Sequence, residues 1–449
     1  MLFDFFRRKA AGEPQSPADP AASLGAHPGL GGAQAGSTEL PAGGGYVSYS
    51  SLLDRQKRVI GYRLAWHASS QAAAAAAPAA HFKAMLSCVA RNLNPPKQGW
   101  RLGECVVFLD VSVECLFAEE LQALPPEKVV LCLCGNDFAD PDTQSMLMFL
   151  RAQGFGLMLC GADALPDGPE ALSLITHMDV GSGDANLIAS VRRAAEPGRP
   201  HIHPIATEIR SWRDFDACAA RGVDVFVNGQ DALVPWEEVS GTLQPEAMLI
   251  VRLMQMIQRN EDVRAIEAAL KHDPALTYRL LHHINSPSIG GGVEVQSLRH
   301  AVAMLGYSPL FRWLMLLLAT SNTASAAFMT KKAIMRGRFV ELMGQGMLPP
   351  GQGDNLFVVG MFSLIDRLLG VSMGEVLSKV HVSEAVHLAI LKREGLYAPF
   401  LSLAETCEID CGEAERLSEA LLMSSDQVND AHLQALAWAQ DVSRAEAAY

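Results

Sequence analysis

The chain has 449 residues, too many for one compact core at about 150 residues per domain. Hydrophobic residues supply 49% and charged residues 19%, which excludes general disorder. The formal net charge of -13 excludes a nucleic-acid binder held by bulk electrostatics, because a phosphate backbone selects basic surface.

Residues 1–45 read as a disordered tail. Gly, Ala and Pro fill 23 of the 45 positions, and so few large apolar side chains cannot offset the entropy of ordering the segment. The first nine residues set Leu2, Phe3, Phe5 and Phe6 before Arg7, Arg8 and Lys9. That is the wrong order for a signal peptide, and it leaves a terminal peptide whose docking role is open. The strongest apolar run, 313–319, is far short of the ~20 residues that span a bilayer. Nine cysteines are too sparse for a disulfide scaffold and follow no zinc-ribbon spacing. A cytoplasmic protein without an integral membrane span is expected.

From 46 to 240 the pattern alternates. Strand-like runs fall at 46–52, 59–66, 105–111, 128–134, 156–160, 177–180, 202–206 and 224–227. Helix-like stretches lie between them at 72–92, 115–123, 143–153, 186–194 and 211–220. Short apolar strands alternating with helices imply a parallel sheet. No Gly-rich phosphate turn follows the first strand, so a TIM-like barrel is preferred over a dinucleotide fold. The segment is short against the ~250 residues typical of such barrels, so an incomplete or trimmed one is expected.

The pattern changes at 241–245, and 241–449 reads as one all-α domain. Asp273 caps a helix with Pro274 in its first turn, and Leu276, Leu280, Leu281 and Ile284 form its apolar stripe. Asn285-Ser286-Pro287 stops it, and Gly290 to Gly292 make a loop. Ser297 caps a second helix, with Leu298, Ala301, Val302 and Leu305 in period and Gly306 as a left-handed terminator. A third, 310–320, contains Trp313 and is apolar nearly all round. Residues 413–449 are helix-rich, either packing back on the module or forming a recognition arm of their own.

Two resemblances follow from these residues. Asp54-Arg55-Gln56 with Val59-Ile60-Gly61-Tyr62-Arg63-Leu64 resembles the opening hairpin of the EAL family, barrel phosphodiesterases that linearise cyclic di-GMP. Asp273-Pro274-Ala275-Leu276, Arg279-Leu280-Leu281, Ile284-Asn285-Ser286, Ser297-Leu298, Ala301-Val302, Leu305-Gly306 and Arg312-Trp313 resemble the HDOD domain, a relative of HD phosphohydrolases that lacks their metal site. The fold class is therefore multidomain: a degenerate or incomplete TIM-like α/β barrel, then an all-α, HD-related domain.

The EAL resemblance implies two metal ions about 3.5–4 Å apart, held by several carboxylate or amide oxygens. Placed residue by residue, the signature glutamate falls on Arg63 and the arginine closing that motif on His67. The strand-end asparagine falls on Asp110, and the next strand's glutamate on Cys132. Paired aspartates fall on Cys160-Gly161, and a lysine on His177, while its aspartate partner survives as Asp179. A later glutamate falls on Thr207. Two carboxylates are too few for two divalent ions, so no catalytic residue, no metal and no cofactor are expected. A soft site of Cys132, Cys160, His177 and His203 would suit zinc, although small thiols filling a retired site is the plainer account. His201-x-His203 shares a strand face. His272-Asp273 spells the dipeptide of HD hydrolases, but Pro274 makes Asp273 a cap, and His282, His283 and His300 cannot all face one site.

The expectation is a non-catalytic bacterial signalling protein acting through a regulatory protein partner, with 285–292 among the exposed determinants. The alternative is a pseudoenzyme binding cyclic di-GMP or a related nucleotide at the barrel mouth, where Arg63 would meet a phosphate. Whether the chain forms a homodimer is left open.

Overall fold

The structure is a computed structural model. It describes residues 44–69, 78–166, 168–194, 201–228, 245–270, 306–320, 327–349, 352–379, 382–409 and 411–447, with Leu276 and Arg299. The described residues group into two compact units, one within 249–315 and one joining 41–248 to 316–449.

Eight strands form a closed barrel: β1 (Gly45–Asp54), β2 (Val59–Ala68), β3 (Val106–Asp110), β4 (Val129–Cys134), β5 (Gly156–Cys160), β6 (His177–Asp179), β7 (His203–Ala206) and β8 (Val225–Asn228), each pairing the next. β1 runs antiparallel to both β2 and β8, and the other pairs are parallel. Of the forms the short segment left open, the barrel takes the closed one, with strands of only three to six residues from β3 onward. Each apolar run of the sequence becomes one of these strands because a parallel strand is covered on both faces. Leu52, Phe108, Val130, Cys132, Met158, Ile205, Val225 and Val227 pack together as the interior.

The connecting helices include α1 (Pro78–Leu93), α2 (Pro141–Gln153), α3 (Pro169–Leu174), α4 (Ala185–Ala194) and α5 (Trp212–Arg221). α2 begins two residues before the expected start because Asp140 accepts the Thr143 N–H and Pro141 fits the first turn. Ser211 caps α5 in the same way, through the Asp214 N–H.

In the unit within 249–315 lie most of α6 (Pro245–Gln258), then α7 (Val263–Leu270) and the first part of α8 (Tyr307–Thr320). Ile250, Leu253, Met254, Ile266, Leu270, Leu276, Leu310 and Trp313 are buried, and the Tyr307 hydroxyl donates to the Glu261 carbonyl at 2.8 Å. Gly306 has φ of 78°, the left-handed geometry of a helix terminator. The helix it was expected to end lies outside the described residues, as do His272, Asp273, Pro274, Leu280, Asn285, Ser286 and Leu305.

The other unit continues with α9 (Ala327–Met343), α10 (Asp354–Phe362), α11 (Ile365–Leu369), α12 (Met373–Lys379), α13 (Glu384–Lys392), α14 (Ala398–Ile409), α15 (Ala414–Ala420) and α16 (Ser425–Ala447). Here the last helix does pack back on the helical region, against α9 through Lys331 with Gln440 and Phe339 with His432, and it also meets the barrel. β1 is paired by β8 only over Ser51–Asp54, so its first half needs other partners. Asn429 on α16 accepts the Val47 N–H at 2.8 Å and donates to the Gly45 carbonyl at 2.8 Å. His432 donates through Nδ1 to the Val47 carbonyl at 3.0 Å, and the Tyr46 and Ser418 hydroxyls meet at 2.6 Å. Two side chains of α16 thus stand in for a missing strand.

Beside that seam, α9 and α14 bury an ion network. Arg336 grips Glu408 through two hydrogen bonds of 2.8 and 2.6 Å and donates to Ser363 at 2.8 Å. Lys332 lies 3.0 Å from the same carboxylate. Burial would push the Glu408 carboxyl up, but Arg336 and Lys332 bring it down to about 2. Lys331 donates to Gln440 and sits over the Tyr62 ring on the barrel's outer face.

Candidate functional site

Parallel barrels gather chemistry at the C-terminal ends of their strands. Here that end collects Arg63 and His67 from β2, Asp110 from β3, Cys132 from β4, Cys160 and Gly161 from β5, Asp179 from β6 and Thr207 after β7. Their inward direction follows from register. Arg63 stands beside Phe108, Asp110 beside Cys132 and Cys132 beside Met158, and Phe108, Cys132 and Met158 belong to the interior.

Arg63 reaches to Asp110 on the neighbouring strand, with Nη2 and Oδ1 2.6 Å apart. Burial works against the Arg63 charge, yet Asp110, with the Cys132 and Cys160 sulfurs behind it, outweighs that and holds the guanidinium above its ordinary range. Asp179 Oδ1 accepts the Thr207 hydroxyl at 2.6 Å and the Gly181 N–H at 2.8 Å. Asp110 and Asp179 are thus each bonded to a protein donor. His67 turns aside to Ser48, Nε2 to Oγ 2.7 Å.

Both thiols lie close enough to bear on the Arg63 charge. A hydrogen bond with Cys160, together with burial, pushes the Cys132 thiol well up, which disfavours the thiolate that a metal would need. Gly161 has φ of 62° with open space where a side chain would begin, so it answers to backbone conformation and not to crowding.

His177 pairs with Met158, its ring edge-on to Phe108 at 5.2 Å and 5.4 Å from the His203 ring. A rim of the ring is exposed, but protein surrounds most of it; burial pushes the imidazole down to about 3, with His203 and Arg151 adding to this. The zinc set expected of Cys132, Cys160, His177 and His203 is not brought together: among the described residues neither thiol nor His177 joins His203 in a cluster close enough to share an ion, and His177 and His203 open their strands whereas Cys160 closes β5. Among the described residues, the three groups that do converge are His201, His203 and Asp224. Sequence reasoning saw the His-x-His pair but missed Asp224 and its partner Arg55, because they meet only when β1 and β8 close the barrel.

Residues 243–344 match the family model described as HDOD domain. Over 205 residues the chain is 27% identical to the cyclic di-GMP phosphodiesterase CdgJ of Vibrio cholerae, covering 45% of this chain and 48% of that protein. It is 23% identical over 202 residues to the uncharacterized protein YuxH of Bacillus subtilis, covering 43% and 48%. The chain thus spans about half the length of the curated relatives it matches. Among solved structures, a Klebsiella pneumoniae BlrP1 manganese/cyclic di-GMP complex superposes at a TM-score of 0.34 and 17% identity, over 42% of this chain and 56% of that one. The EAL-like domain protein YdiV does so at 0.31 and 15%, over 41% and 89%. No helix among the described residues is long and apolar enough to cross a membrane.

Proposed function

We propose that this chain, an EAL-like barrel joined to an HDOD domain, is a non-catalytic component of cyclic di-GMP signalling that works in the cytoplasm by binding a regulatory protein. The observation that carries the reading is the Arg63–Asp110 ion pair at 2.6 Å. Two divalent cations need several anionic oxygens around each, and here a fixed cation already takes up the carboxylate of β3. Asp179 is held by Thr207 and Gly181, and Cys132 offers a protonated sulfur where the EAL resemblance places a glutamate. The likeness to CdgJ supports the pathway, and the substituted mouth supports loss of turnover within it. Output through the HDOD domain fits a mechanism of recognition, in which one input shifts how a helical module meets its partner.

A second reading keeps the nucleotide without the chemistry: Arg63, charged and a quarter exposed at the mouth, has the planar fork that pairs with a phosphate.

The test is incubation of the full chain with cyclic di-GMP and Mg²⁺ or Mn²⁺, with chromatographic assay of the linear dinucleotide and calorimetry of binding. No product and no heat is the expected result. Micromolar binding weakened at least about tenfold by Arg63→Ala, roughly 1.4 kcal/mol, selects the second reading. Turnover that disappears in Asp179→Ala overturns both.

A further inference from the structure

The end of the barrel remote from the mouth carries a second constellation. His201 and His203 leave the sequence just before and at the start of β7, and Asp224 immediately precedes β8. The imidazole Nδ1 of His203 is 3.4 Å from Asp224 Oδ2, and Nε2 of His201 is 3.7 Å from the same oxygen. The two rings meet edge to face at 4.6 Å, and the three donor groups lie within 4.8 Å of one another.

Those separations are informative. A charge-assisted hydrogen bond closes to about 2.7–2.9 Å. Donor atoms bound tetrahedrally to one ion at about 2.0–2.1 Å stand ~3.3–3.4 Å apart. Two edges of the triangle are near the second value and beyond the first. The third closes by rotation of His201, whose side chain is 60% exposed. The backbone that carries the other two ligands is already fixed: the main-chain N–H of His203 donates to the Thr176 carbonyl at 2.8 Å, and that of Asp224 to the Pro204 carbonyl at 3.1 Å.

The carboxylate is divided between two tasks. Arg55, in the β1–β2 turn, takes Asp224 Oδ1 at 3.1 Å and donates to the Val223 carbonyl at 2.9 Å. Oδ2 is thereby aimed at the imidazoles, the arrangement in which an outer partner orients a metal-binding carboxylate. Two imidazoles and one carboxylate suit the zinc class of divalent ions and are too poor in oxygen for Mg²⁺ or Ca²⁺.

We propose that His201, His203 and Asp224 form a binding site for a zinc-class divalent ion, with Arg55 as the positioning residue and water completing the coordination. The ion clasps the segment entering β7 to the start of β8, next to the turn that begins β2, at the seam where the barrel closes. The site is separate from the mouth, so its existence does not depend on whether the mouth binds nucleotide.

Titration of the chelator-stripped, full-length protein with Co²⁺, followed by displacement with Zn²⁺, is the experiment. One equivalent per chain is expected to give the visible bands of a four- or five-coordinate ion without a thiolate charge-transfer band, which keeps the nine cysteines out of the assignment. His201→Gln, which changes an exposed side chain, and Asp224→Asn should each weaken binding at least about 100-fold, and Arg55→Gln about tenfold. Unchanged affinity in His201→Gln, a thiolate band, or absence of any site-bound spectrum in the folded wild-type protein would overturn the assignment.

Discussion

Buried ionisable side chains link the fold to acid: His177 in the barrel, described above, and, beside α16, His432 and Glu408. His432 is enclosed between Phe339, stacked on it at 4.4 Å, and Tyr49, and burial takes its imidazole down to about 4 despite Glu408 and the Val47 carbonyl. An unfolded chain binds that proton near pH 6.5, and the native one refuses it until about pH 4. The contribution of His432 is therefore complete above pH 6.5 and falls by about 3 kcal/mol as pH drops to 4, at ~1.4 kcal/mol per unit. Glu408, depressed to about 2, acts lower down. Its contribution is complete above its ordinary value of 4.5 and is lost as pH falls through 2. Urea midpoints measured from pH 7 to 4 should decline in the wild type, and His432→Gln should flatten the upper part of that decline. An equal slope in both proteins would refute the role of His432.

At the level of elements, Asn429 lets one helix complete a strand. Asn429→Ala strands the Val47 N–H and the Gly45 carbonyl, both in a buried seam, and should cost about 2–4 kcal/mol in denaturant unfolding, since an unmet buried polar group carries its desolvation penalty. A loss under ~0.5 kcal/mol would show that other groups satisfy β1. This seam also marks what the sequence could not disclose. The eight strand runs were legible because each apolar stretch is its own signal, β4 above all, with five of six residues buried. The grouping of Arg63 with Asp110 was legible because both stand at strand positions that register fixes. Asn429 and His432 gave no such signal, since a polar residue on a helix reads as solvated until its partner, hundreds of positions earlier, is known. Lys332 and Arg336 hid similarly: their i,i+4 spacing puts them on one helix face, but Glu408 comes from a different helix.

In the unit that joins 41–248 to 316–449, the barrel and the later helices share one core, with α16 bound to β1 and also to α1 through Arg91, Asn92 and Asp430. Such a body should open as one cooperative piece. Hydrogen exchange followed by mass spectrometry is expected to give β1 and α16 the same opening free energy within about 1 kcal/mol; complete exchange of α16 while β1 stays protected would contradict a shared unit.

The distance along the chain between Val47 and Asn429, 382 residues, has a consequence for synthesis. At about 5–20 residues per second, the ribosome needs roughly 20–80 s to reach the second after making the first. Throughout that interval the nascent polypeptide carries a bare strand edge, the feature that templates aggregation. Its opening hairpin is thus exposed to that hazard until the final helix emerges.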